Sequence, residues 1–329
     1  MGNSEYDDRH NTHRYLSLAD EALCELKGDG FLRYRRQFDA ARTEKETTEG
    51  PLEIALGITS FCNLRCKMCY RSFLEDGPRA FMAVELLDQI ADELRRLKVA
   101  SVWLGSFTEP LIHPEIERII KRLGKVGAED YWLTTNGTLL NESIAKAAID
   151  AGVTKLHVSL DAATPETYRT IRGYDLAKVE SNIGDFLELR DKLGSKTPFL
   201  RVTFCEQPDN ASEIDLFVKK WTGVADIVDT QKLTDYSKLT DDSFYAFDPT
   251  KSFLDCYYPF YQIAVTYEGR LWPCPSLVYD ASEVRYFPDT SIQDYWNSKE
   301  MQDLREQIKE KCFTRCCKRC LYLRADNDG

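Results

Sequence analysis

From Leu52 onward the apolar positions follow two rhythms in turn. Short runs rich in β-branched and aromatic residues fall at Leu52–Thr59, Ser101–Gly105, Tyr131–Thr135, Lys155–Leu160, Phe199–Cys205 and Ile227–Leu233. Each predicts a strand. Between them, apolar residues recur at helical spacing over Ala83–Leu97, Pro114–Gly124, Glu142–Ala151, Leu176–Leu193 and Ala211–Trp221. Strands alternating with helices build βαβ units on a parallel sheet, so the fold class is α/β. In such folds the chemistry gathers at the carboxyl ends of the strands.

The flanks read differently. Leu16, Leu18, Ala19, Ala22, Leu23 and Leu26 share a helix face that stops near Gly28 and Gly30, and a second helix is predicted over Phe31–Ala41. The polar stretch Thr43–Pro51 is a linker. After about residue 245 the alternation fails, and aromatics, prolines and cysteines become dense. A strand pair is expected around Glu268-Gly269 and one helix over Ile292–Lys309. The expected division is a helical extension at 1–50, an α/β unit at 51–245 and a small cysteine-rich unit at 246–329. The last has too little apolar periodicity for its own core, a shortfall that metal ligation would make good.

Composition narrows the class. With 43% hydrophobic and 29% charged residues the chain has the make-up of a soluble globular protein. A net charge of -11 argues against general nucleic-acid binding, which needs a basic face. No run approaches the ~20 apolar residues of a membrane span. The polar stretch Met1–Asp20 has no signal-peptide core, and Tyr6 stands where a myristoylation motif wants Ser or Thr. A cytoplasmic location is expected. There disulfides are rare, so clustered cysteines point to metal or redox chemistry.

The first predicted strand runs into Phe61-Cys62-Asn63-Leu64-Arg65-Cys66-Lys67-Met68-Cys69-Tyr70. Three thiolates on one tight loop suit three irons of a [4Fe–4S] cubane and leave the fourth iron open. The spacing is C-x3-C-x2-C, not the C-x4-C-x2-C of plant-type ferredoxins. A structural zinc loop or an electron-transfer cluster is the plainer reading of the same residues.

A C-x3-C-x2-C motif followed by an aromatic, directly after the first strand of an α/β unit, resembles the radical S-adenosylmethionine (SAM) superfamily. The likeness extends over Leu52 to about Leu233. It implies a partial (β/α)6 barrel whose open iron chelates the amino and carboxylate groups of SAM. It also implies a reductant, such as a flavodoxin or ferredoxin, and release of a 5′-deoxyadenosyl radical. By the resemblance, Tyr70 is the aromatic expected beside the cofactor. Gly105-Ser106-Phe107-Thr108-Glu109-Pro110 resembles the family's Gly-Gly-Glu region, which sets Glu109 near the SAM ammonium. Ser106 and Thr108 depart from its usual glycines. Asn136, in Thr135-Asn136-Gly137, ends the third strand. By the same resemblance Ser159 and Asp161 meet the ribose hydroxyls, and Arg172 meets the methionine carboxylate. Taken singly, Asn136-Gly137 is a turn signal and Asp161 a helix cap.

Cys256, Gly269 and Cys274 resemble the opening of the SPASM/twitch extension found on many such enzymes. The resemblance assigns a second [4Fe–4S] cluster to Cys256, Cys274, Cys317 and Cys320, with Cys316 as an alternative to Cys317 and Cys312 left over. Zinc also accepts four thiolates. Tyrosines 257, 258, 261 and 267 are candidates for a substrate pocket or for core. Cys205 ends the fifth strand at the same rim. It is either a buried thiol or a hydrogen-atom donor, and the latter would make an epimerase. The leading expectation is net oxidation of a small polar alcohol, aminocyclitol or sugar, with a peptide as the other substrate class. A non-catalytic metal-binding scaffold is the rival outside enzymes.

Overall fold

The computed structural model describes residues 7–8, 11–12, 19–73, 77–234, 236, 256–275, 284–312, 317 and 320. Its first elements are a two-residue ribbon, β1 (Asp7–Asp8) against β2 (Asn11–Thr12), and two helices, α1 (Ala19–Lys27) and α2 (Asp29–Thr43). Six parallel strands follow in chain order: β3 (Glu53–Leu56), β4 (Ser101–Leu104), β5 (Asp130–Thr135), β6 (Lys155–Ser159), β7 (Phe199–Glu206) and β8 (Ile227–Lys232). They alternate with α3 (Val84–Leu97), α4 (Ile116–Gly124), α5 (Glu142–Asp150), α6 (Pro165–Arg172), α7 (Leu176–Lys192) and α8 (Ile214–Trp221). The sheet does not close, which makes it the expected partial barrel.

The period-2 side-chain pattern explains both faces. Ile54, Leu56, Val102, Leu104, Leu133 and Leu156 are fully buried in one core with helix residues such as Leu87, Ile90 and Ile119. Each such Leu or Ile contributes roughly 1.5–3 kcal/mol. The alternate residues are polar or aromatic and bond among themselves. Glu53 accepts from Ser101 at 2.7 Å and Trp132 at 3.1 Å, and Trp103 stacks on Trp132 at 4.6 Å. This second face runs from the amino ends of the strands up to the site.

No role for residues 1–50 could be read from the sequence, and packing shows one for the part over 21–43. Leu23, Phe31 and Tyr34 bury together against Ala100 and Phe199, which lie at the amino ends of β4 and β7. The α1–α2 pair therefore covers the end of the barrel opposite the site. Lower on α2, Phe38 and Ala41 pack on the C-terminal segment, with Phe38 edge-on to Tyr261 at 4.8 Å.

The expected hairpin is β9 (Gln262–Val265) with β10 (Leu271–Trp272), and Gly269 turns it at φ +84°. Its pairing was not foreseen. β9 adds in parallel to β3, Glu53 opposite Gln262, and extends the barrel sheet. Short α9 (Tyr258–Tyr261) precedes it. The single helix expected over 292–309 is two, α10 (Ile292–Trp296) and α11 (Lys299–Lys309). Ser298 accepts from Met301 N and starts a new helix, and this local cap interrupts the apolar period. Ile263, Leu271, Ile292, Trp296 and Met301 share the barrel's core, so this segment does not depend on metal alone for its packing. No described helix is long and apolar enough to cross a membrane.

Candidate active site

The cysteine loop leaves β3 at Gly57, where a side chain would strike the Phe107 ring. Many short bonds hold the loop. Ser72 Oγ donates to Cys66 O at 2.7 Å, Cys69 N to Cys66 O at 3.0 Å, and Arg71 to Ser60 O at 2.9 Å. Asn136 Nδ2 donates to Asn63 Oδ1 at 2.9 Å, and Asn63 Nδ2 donates to Thr138 Oγ1 at 2.8 Å. Asn136 is thus more than a turn residue: its side chain ties the end of β5 to the loop. Burial pushes the Cys62, Cys66 and Cys69 thiols up, Cys66 to about 11 against the pull of Arg172. Tyr70 donates its hydroxyl to Phe107 O.

Glu109 sits at the carboxyl ends of β4 and β5. Gly105 at φ +100° makes the turn toward it, and a side chain there would meet Thr134 O. Glu109 accepts from Leu111 N at 3.0 Å, Thr135 Oγ1 at 2.8 Å and Asn136 N at 2.7 Å. Burial pushes its carboxyl up to about 7 despite those donors. Thr108, one of the departures from glycine, donates to Thr59 O at 2.9 Å. Ser106, the other, is half-buried, and its hydroxyl oxygen is buried with no partner among the described residues.

Asp161 follows β6 at φ +63°, a conformation that costs a non-glycine residue energy and is retained where the surroundings fix it. Its Oδ1 accepts from Cys205 N at 2.7 Å, its Oδ2 accepts from Arg172 Nε at 2.9 Å, and its carbonyl accepts from Asn210 at 2.8 Å. The reading of Asp161 as a cap of α6 fails. Thr164 caps that helix, and Glu213 accepts from Ala163 N at 2.7 Å. Arg172 is the last residue of α6; burial acts to lower its pKa, but Asp161 and Cys66 hold it above its ordinary value. Burial raises the Cys205 thiol strongly, and Asp161 adds to the effect.

One cavity of about 390 Å³ is lined by Cys62, Cys66, Cys69, Tyr70, Glu109, Asn136, Ser159, Asp161, Arg172 and Cys205. It also takes in Ser106, one of the two departures from glycine, and Met68, Gln231 and Tyr236, which sequence reasoning did not single out. The rim position of Gln231, at the carboxyl end of β8, was the available signal. The donor chemistry fits a [4Fe–4S] cluster with SAM: three thiols, a buried carboxylate for an ammonium, and an orphaned hydroxyl. Among the described residues no three His, Cys, Asp or Glu side chains converge on a single-ion site. Thiolates on separate irons of a cubane need no such convergence.

The second cysteine group is only partly in view. Cys256, Cys317 and Cys320 pack in one cluster with Tyr257, Phe260, Leu304 and Ile308, and Cys320 N donates to Cys317 O at 3.0 Å. Burial raises the Cys256 thiol, and Cys320 and Cys317 add to it. Cys274 follows β10 and lies beside Tyr295. Cys312 is exposed, and Cys316 lies outside the described residues. Of the two readings of the tyrosines, the packing observed is that of core for Tyr257 and Tyr261. Tyr257 stacks on both Tyr258 and Tyr261, Tyr267 donates to Glu268, and none of the four lines this cavity.

Residues 56–199 match the Radical SAM superfamily, and residues 256–321 match an iron-sulfur cluster-binding domain, SPASM. The first implies a [4Fe–4S] cluster and SAM, the second further iron–sulfur clusters. A probable GTP 3',8-cyclase of Methanothermobacter thermautotrophicus is 36% identical over 135 residues, 40% of this chain and 43% of that relative. The chain therefore matches less than half of that relative's length. The crystal structure of BtrN in complex with AdoMet and 2-DOIA is similar with a TM-score of 0.51 at 17% identity, covering 82% of this chain and 92% of that one. Streptococcus suis SuiB bound to precursor peptide SuiA is similar at 0.56 and 14%, covering 83% and 70%. At such identities the likeness is one of fold.

Proposed function

Because the chain belongs to the radical SAM superfamily, in the branch with a SPASM domain, we propose that it cleaves SAM reductively and takes a hydrogen atom from a substrate C–H bond. The proposed outcome is net oxidation of a small polar alcohol, aminocyclitol or sugar. The observation that carries the reading is the single cavity shared by three cysteines, Glu109, Ser159 and Cys205. Cys62, Cys66 and Cys69 would hold a cluster that supplies the electron for breaking the S–C5′ bond, and Cys256, Cys274, Cys317 and Cys320 would hold an auxiliary cluster able to accept one from the substrate radical. Oxidation balances as one hydrogen atom to the deoxyadenosyl radical, one electron to the acceptor and one proton released, leaving a carbonyl.

The chain's own groups bind and orient. Glu109, ionised, holds the SAM ammonium, and its three protein donors keep the carboxylate aimed. Ser159, with Asp161 beside it, serves the ribose side. Arg172 and Tyr70 form the walls next to the cysteine loop, and Asn136 holds that loop in place. A flavodoxin or ferredoxin is the proposed electron source.

The test is anaerobic reconstitution followed by iron and sulfide analysis, EPR, and assay of 5′-deoxyadenosine under dithionite. The Cys62→Ala/Cys66→Ala/Cys69→Ala protein is expected to keep about four irons, the complement of one cubane. Loss of all iron from that folded variant removes the auxiliary cluster and with it the oxidation. A second reading has its own support, because the Cys205 side chain lines the cavity while Asp161 holds its backbone. In an epimerase, Cys205 delivers a hydrogen atom to the substrate radical. Solvent deuterium in the product, lost in Cys205→Ala, is the expected sign; normal turnover of that variant sinks the idea.

A further inference from the structure

The resemblance assigned Arg172 to the SAM carboxylate, yet its guanidinium is engaged elsewhere. Nε and Nη2 both donate to Asp161 Oδ2, while Nη1 donates to Cys66 Sγ at 3.7 Å. Arg172 is 7% exposed and Asp161 2% exposed. Asp161 is itself held from its other oxygen by Cys205 N. The end of α6 also grips the cysteine loop through its backbone, Lys67 N donating to Ile171 O at 2.8 Å. Among the described residues, no other side chain donates to Cys66 Sγ. A planar guanidinium fixed twice on a carboxylate has little freedom left, so its remaining N–H direction is set before any ligand arrives.

We propose that Arg172 is a positioning residue of the SAM-binding cluster. It donates to the Cys66 sulfur and fixes positive charge beside it whether or not SAM is present. Reduction adds negative charge to the cluster, and a cationic hydrogen-bond donor on a ligating sulfur favours the reduced form. The inference rests on the radical SAM reading above and adds a role to a residue otherwise assigned to SAM.

The test follows the full-length, anaerobically reconstituted protein without SAM. The signal tracked is the EPR feature absent from Cys62→Ala/Cys66→Ala/Cys69→Ala. Removing the arginine alone would strand a buried carboxylate, so the main variant is Asp161→Asn/Arg172→Met, with Arg172→Lys beside it. The double variant is expected to reduce at a more negative potential with shifted g-values, and Arg172→Lys to fall between it and wild type. A folded double variant that assembles no such cluster, while Arg172→Lys assembles it, also supports the role. Unchanged SAM-free g-values and potential in both variants, with SAM binding weakened, would overturn it and return Arg172 to the SAM carboxylate. Failure of wild type to take up iron sinks the functional reading itself, a result distinct from any of these.

Discussion

At the amino ends of the strands, Glu53 takes hydrogen bonds from Ser101 and Trp132, and Asp130 pairs with Lys155 at 2.8 Å. Phe31 and Tyr34 then seal these groups from α2. At the carboxyl ends, Glu109, Asp161 and Arg172 are as deeply buried and as well bonded, but they face a cavity of about 390 Å³ instead of a helix pair. Buried charge is thus common to both ends and does not by itself mark a site. What separates them is what covers the charges: apolar side chains at one end, and open space with thiols and an orphaned Ser106 hydroxyl at the other.

The largest expected effect tests the open end. Replacing Cys62, Cys66 and Cys69 with Ala should drop SAM cleavage to background while leaving the melting temperature nearly unchanged, as measured by 5′-deoxyadenosine yield and thermal denaturation. A collapse of the fold would make the loop structural and blur the contrast. Next comes the sealed end. Phe31→Ala should cost about 3–5 kcal/mol in denaturant unfolding, with cleavage per folded molecule preserved. Activity lost without stability would tie α2 to the chemistry.

Glu109→Gln removes a charge-assisted contact and should weaken SAM binding by about 1.5–3 kcal/mol, read by calorimetry under anaerobic conditions. Because burial holds the Glu109 carboxyl near 7, it must lose a proton to meet the ammonium at lower pH. SAM affinity should then fall by up to about tenfold per pH unit below 7 and level off above it. The Glu109→Gln protein should show no such slope; if wild type lacks the slope too, Glu109 does not hold the ammonium. The smallest effect lies away from both ends. Arg118 pairs with Asp88 on the exposed faces of α3 and α4, and Arg118→Ala should change stability by no more than about 0.5 kcal/mol.

Much of the barrel was legible because its signals are local. The predicted and observed bounds of β4 through β8 and of α3, α5 and α7 differ by a residue or so, each element carrying its own apolar period. Asn141 caps α5, and Asp175 caps α7. The site residues were legible for a related reason: they stand where strands end, and the period shows where strands end. The parallel pairing of β9 with β3 was not legible, because two short runs some two hundred residues apart carry no pattern that names each other. Nor was the break at Ser298, where one hydroxyl acts against an otherwise continuous apolar face.

By itself the sequence determined an α/β chain with a three-cysteine loop after its first barrel strand and polar residues at the later strand ends. Tertiary structure alone decided that Asp161 holds Arg172 instead of a helix end and that Asn136 reaches across to Asn63. It also decided that residues 19–43 close the far end of the barrel. Propensity, periodicity and capping act within a few residues and can be read along the chain. A hydrogen bond's choice among several available partners depends on which groups folding brings within 3 Å, and no single stretch of sequence contains that distance.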